Sequence, residues 1–140
     1  MSAMLPALLS AIVTILAVLF VFYTGVLVAR MRGKHGVHAP ATAGHPEFER
    51  AYRVQMNTLE QFVIFLPLLW IATSYFGTVG WLAPALGLVW IIGRLIYMQG
   101  YMRAPESRGR GFGITVLASL GLLILSIIGI VQNWIAMNAS

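Results

Sequence analysis

No cysteine occurs in the 140 residues. Disulfides, thiolate metal sites and a protein thiol nucleophile are therefore excluded, and any sulfur nucleophile has to arrive with a substrate. Charge is almost as scarce. Charged side chains make up 9% of the chain, and only 4 residues are acidic. A soluble domain carries about 25% charged residues, so a soluble globular module is excluded as well. What fills the gap is apolar: hydrophobic residues supply 59% of the sequence, and mean hydropathy is +0.85. This composition specifies an integral membrane protein with room for one domain over residues 1–140. Nine Lys and Arg give a net charge of +5. They gather at the ends of apolar runs, where cations orient helices in a bilayer, so nucleic acid is excluded as a partner.

Four apolar runs are long enough to cross a membrane. The first covers about 4–29. A cleaved signal peptide is the competing reading, but the basic leader is missing and the apolar run is too long. Residues 33–46, GKHGVHAPATAGHP, read as a loop broken by Gly33, Gly36, Pro40, Gly44 and Pro46. His35, His38 and His45 have no acidic residue between them, so they read as solvated or interfacial side chains and no metal is expected. The second helix starts near Glu47, spans the bilayer over about 54–75 and carries Pro67, where a kink is expected. The third span covers about 81–102. A basic, glycine-rich loop is expected over 103–113, and the fourth span covers about 114–134. The expected architecture is an all-α bundle of four transmembrane helices. Eight of the nine cations lie in or beside the first and third loops. The positive-inside rule then places those loops in the cytoplasm and both termini opposite. The short chain, with no trailing extension, points to a bacterial inner membrane.

Two polar stripes interrupt this pattern. Glu49, Arg53, Asn57 and Glu60 recur at spacings of four, four and three, within a helical arc of roughly 80°. Arg94, Tyr97 and Tyr101 share an arc of roughly 60° on the third helix. A charge at the bilayer centre costs about 2.5–3.5 kcal/mol on insertion scales, so such residues face protein or a water-filled cavity. Interhelical pairing accounts for one ion pair. It does not account for Arg53, Arg94 and Arg108 near one level with Glu60 as the nearby acid. Surplus guanidinium groups in a poorly hydrated site call for an outside anion, and arginine grips carboxylates bidentately. The residues alone therefore predict a small carboxylate-bearing ligand between helices near the cytoplasmic face. An interfacial aromatic belt explains Tyr75 and Trp81, whereas Tyr97 and Tyr101 share the face of Arg94.

The block PEFERAYRVQMNTLEQF, followed by a proline-containing apolar run, resembles the MAPEG family (membrane-associated proteins in eicosanoid and glutathione metabolism). So does RLIYMQGYMR at the end of the third span, most of all in the branch of leukotriene C4 synthase and the microsomal glutathione transferases. The resemblance implies a homotrimer with glutathione as co-substrate, held between neighbouring subunits. It implies a glutathione site of Arg53, Gln55, Asn57, Glu60, Gln61, Arg94, Tyr97 and Tyr101, with Arg32 reaching in from a first helix. Arg108 falls at the position of the family's thiol-activating arginine, and Arg110 is the alternative. The implied activity is conjugation of the glutathione thiolate to a hydrophobic electrophile, with reduction of lipid hydroperoxides as a second activity. A non-catalytic lipid-binding scaffold, like the 5-lipoxygenase-activating protein of the same family, is the rival. One departure stands out: Gln61 occupies a position that is tyrosine in the leukotriene C4 synthase branch, which argues against a leukotriene synthase.

Overall fold

Long apolar stretches without a water-facing side have one stable option in lipid, which is to close every backbone hydrogen bond within a helix. The computed structural model describes residues 4–139 and contains four such helices. They are α1 (Met4–His35), α2 (Pro46–Tyr75), α3 (Leu82–Arg103) and α4 (Gly109–Asn138), with one short 3₁₀ turn, Pro105–Arg108, between α3 and α4. All four are long and apolar enough to cross a membrane. The chain is a multi-pass membrane protein.

The helices are joined by a shared core. Phe65 and Leu69 of α2, Trp90 of α3 and Leu122 of α4 are fully buried, and Ala17 of α1 packs with them. The Phe65 and Trp90 rings stack with centroids 4.2 Å apart. The opposite faces carry exposed Ile12, Leu19, Val63, Ile124 and Ile127, as expected where the neighbour is lipid or another subunit. Hydroxyls and amides tie the helices inside this apolar setting. Ser10 meets Thr73 at 2.7 Å, the Trp70 indole N–H donates to Thr14, and Asn133 donates to the Tyr75 carbonyl.

The helix containing Pro67 runs from Pro46 to Tyr75. One local feature departs from the sequence reading: the expected loop over 103–113 is mostly helical, because α4 begins at Gly109. The glycines there mark a helix crossing. A Cβ on Gly111 would collide with the backbone nitrogen of Tyr97, and one on Gly93 would lie 2.9 Å from the Thr115 nitrogen. Glycine at these two positions lets α3 and α4 touch backbone to backbone, the device membrane helices use when no hydrophobic force drives them together.

The first loop is held by polar contacts. His45 caps α2, its Nδ1 accepting from the Glu47 N–H at 3.1 Å, and its ring stacks on His35 at 3.5 Å. Lys34 donates to Glu47 at 2.9 Å and holds that carboxyl below its usual range, assisted by His35. The histidines thus close the helix entry.

Candidate functional site

The α2 stripe and the α3 stripe meet. Arg94 is completely buried, with one guanidinium nitrogen donating to Asn57 Oδ1 at 3.0 Å and another to Thr58 Oγ1 at 2.8 Å. Its charge also lies over the Tyr97 ring, 4.1 Å from the centroid. Asn57, with its oxygen turned to Arg94, donates through Nδ2 to Glu60 at 3.3 Å. Glu60 in turn approaches Arg53 at 3.9 Å, and both side chains are about half exposed, at 54% and 51%. A chain of contacts therefore runs from a buried cation through an amide to an exposed ion pair.

Above this floor opens a cleft of about 360 Å³ lined by Arg53, Asn57, Tyr97, Tyr101, Arg108 and Phe112. The 3₁₀ turn is what presents Arg108. The guanidinium bonds back to the Pro105 carbonyl at 3.0 Å and sits over the Tyr101 ring at 5.5 Å. Tyr97 and Tyr101 lie one helical turn apart with ring centroids at 5.6 Å, and Phe112 closes on Tyr97 at 6.4 Å. One wall is thus cationic, the others aromatic.

Charge in this region is not balanced among the described residues. Arg94 has no carboxylate within ion-pair distance, Arg108 meets only a carbonyl, and Arg53 has the loose pair with Glu60. Three guanidinium groups thus share this region with one carboxylate. Exposed pairs such as Arg53–Glu60 contribute at most about 1 kcal/mol, so the pair yields readily to a ligand. The arrangement can bind an anion with more than one carboxylate, and Glu60 can receive an ammonium.

The residues named from sequence divide into groups. Arg53, Asn57, Tyr97, Tyr101 and Arg108 converge on the cleft, with Glu60 beside it. Arg94 belongs to the site as support, since it has no exposed surface with which to touch a ligand. Gln61 lies one turn deeper, in a separate groove between α2 and α4. Gln55 faces the other way, lining a groove with Val18, Val21, Phe22 and Gly25 of α1. Arg32 is engaged by the first loop, donating to the Ala41 carbonyl at 2.8 Å and lying over Phe48. Arg110 lines a different groove with Arg103 and Gln99, on the far side of α3. Two contributors went unnamed in the sequence reading. Thr58 anchors Arg94 while donating to the Val54 carbonyl at 2.7 Å, and Phe112 walls the cleft. Thr58 had one visible signal, a hydroxyl next to Asn57 in the sequence, although it lies outside the arc of the stripe.

The MAPEG family model matches residues 10–128. An uncharacterized protein of Synechocystis sp. is 42% identical over 125 residues, covering 89% of this chain and 87% of the relative. Human microsomal glutathione S-transferase 2 is 38% identical over 129 residues, covering 92% and 86%. Guinea pig (Cavia porcellus) leukotriene C4 synthase is 39% identical over 127 residues, covering 91% and 83%.

Proposed function

This chain belongs to the MAPEG family, and from that premise we propose that it is a membrane-bound glutathione transferase. Glutathione carries two carboxylates, one ammonium and one thiol. The cleft offers a surplus of guanidinium groups for the carboxylates and Glu60 for the ammonium, and this surplus is the observation that carries the reading. Arg53 and Asn57 hold the charged ends; Arg94 fixes Asn57 from behind. Arg108, at the rim, is the thiol-activating group. A cysteine thiol ionises near 8.5, and an adjacent cation favours the thiolate. A depression of roughly two pKa units requires about 2.7 kcal/mol of differential interaction, a demand on the charge-assisted contact that is met only where bound glutathione and substrate exclude water from it.

The thiolate sulfur attacks the electrophilic carbon of a hydrophobic substrate that enters from the lipid side. A carbon–sulfur bond forms and the leaving group departs with its electron pair. With a lipid hydroperoxide, two glutathione molecules give the disulfide, the alcohol and water.

Gln55 and Arg32 lie on the α1 side of α2, away from the cleft. A ligand touching both sets needs a second subunit, which supports a homotrimer with the site between neighbours. The basic loops face the cytoplasm of a bacterial inner membrane, where glutathione reaches the cleft from water.

The test is conjugation of glutathione to 1-chloro-2,4-dinitrobenzene by the purified protein in detergent, beside reduction of cumene hydroperoxide. Turnover of either supports the assignment. Thermal stabilisation by glutathione or lipid with no turnover of both would instead identify a binding scaffold.

A further inference from the structure

The seam between α3 and α4 has two sides. The cleft opens on one, walled by Tyr97, Tyr101 and Phe112. On the other side, Val89, Ile92, Ile96, Gln99 and Arg103 share an arc of roughly 80° along α3. Arg110, Ile114, Leu117 and Ile124 share a similar arc along α4. Val89, Ile92, Leu117 and Ile124 are exposed. Each strip is therefore apolar through the membrane layer and ends in an arginine, and the two arginines lie at the same end of the bundle.

Between those ends lies a groove of about 440 Å³, lined by Ile96, Gln99, Arg103, Glu106, Ser107 and Arg110. Its polar side chains are all exposed. Among the described residues, Arg103, Arg110 and Glu106 make no ion pair, and the Gln99 amide and Ser107 hydroxyl make no hydrogen bond. Two arginines against one glutamate leave the groove one surplus positive charge. Arginines at a membrane edge are often merely solvated. What distinguishes this pair is that each ends a lipid-facing strip, with an acid, an amide and a hydroxyl between them.

We propose that this groove seats the headgroup of an anionic phospholipid of the phosphatidylglycerol type. Arg103 and Arg110 grip the phosphodiester, whose single negative charge matches the surplus. Glu106 accepts from the glycerol hydroxyls, with Gln99 and Ser107 beside it. The acyl chains lie along the two strips, as expected for a basic pocket at a membrane edge. Glu106 gives the site its selectivity. It repels a doubly charged phosphomonoester, and a choline headgroup offers it no donor. An ethanolamine headgroup satisfies Glu106 but is neutral overall and leaves the surplus charge unanswered. The site stands behind the cleft, since Arg108 lines the cleft while Arg110 lines the groove. It is therefore independent of the transferase reading, and its test reads bound lipid and no turnover.

The purified protein, stripped of lipid in a nonionic detergent, is titrated with the dioleoyl forms of phosphatidylglycerol, phosphatidylethanolamine or phosphatidylcholine, and bound lipid is counted by native mass spectrometry. Phosphatidylglycerol is expected to bind about tenfold more tightly than phosphatidylcholine, with phosphatidylethanolamine between them. Arg103→Gln and Arg110→Gln are each expected to cut that preference about threefold or more. Arg30→Gln removes one exposed cation from the same end of the bundle and leaves the preference in place. Equal binding of the lipids, a preference for phosphatidylethanolamine, or an equal loss in Arg30→Gln overturns the inference. Glycerol 3-phosphate at millimolar concentration tests the other source of the same chemistry. It is expected to leave the lipid bound, and displacement of the lipid would assign the groove to soluble anions instead.

Discussion

Two arginines in the same site are held so differently that their loss should be distinguishable. Arg108 is exposed at the rim with one carbonyl partner, so removing it disturbs little structure. Arg108→Ala is expected to lower glutathione-dependent kcat/KM at pH 7 by about ten- to a hundredfold. The cation depresses the thiol pKa, so the loss is largest below the free value near 8.5 and shrinks as pH rises through it. A pH–rate profile checks this. Arg94 is buried and touches Asn57, Thr58 and Tyr97. Arg94→Leu frees the Asn57 amide and orphans its oxygen, at a cost of about 1–3 kcal/mol. The expected result is a glutathione KM raised about tenfold or more with the pH profile unmoved, the signature of a positioning residue. In the sequence both arginines look alike, as cations on or near an apolar helix. Burial separates them, and burial depends on which helices close over Arg94.

At the level of elements, the α3/α4 crossing illustrates what spacing leaves open. GRGFG reads locally as a flexible basic loop, because glycine disfavours helix by about 1 kcal/mol. Contact of Gly111 with Tyr97 and Gly93 turns the same residues into a helix start, since only glycine permits that approach. The two kinds of glycine should respond oppositely to the same change. Gly111→Ala drives a methyl into the Tyr97 backbone and is expected to cost about 1–3 kcal/mol. Gly109→Ala and Gly113→Ala meet nothing within 4 Å and are expected to be neutral or stabilising by up to about 1 kcal/mol. Thermal transitions of the three variants in one detergent decide the matter. By contrast, the four helices themselves were plain from long apolar runs, and α2 was placed within a residue by the proline and acids at its start.

For the whole molecule, sequence periodicity brought Arg53, Asn57 and Glu60 onto one face, and it put Tyr97 and Tyr101 together on another. That these two faces meet is a fact of topology. Gln55 sits two residues from Arg53, which is roughly 200° around the helix, so no single cleft takes in both. If the site is completed by a neighbour, impaired subunits should repair one another. Arg108→Ala and Gln55→Ala, each deficient alone, are expected to regain about a quarter of wild-type activity when co-assembled in equal amounts, from statistical pairing in a cyclic oligomer. Mixing after separate purification, without subunit exchange, should give no recovery. Recovery in neither case would confine the site to one subunit.

The short 3₁₀ turn that carries Arg108 has a kinetic corollary. Four residues between two helices that touch backbone to backbone leave little slack for a hinged cover, and the cleft stands open beside the exposed Arg53 and Arg108. Capture of an anionic peptide by such an opening is governed by diffusion through an attractive field, which accelerates encounter and fades as ionic strength shortens its reach to about 8–10 Å. For a protein fixed in a bilayer and fed from the water beside it, rapid collection of its soluble partner would leave the slower supply of the lipid-borne one to set the pace.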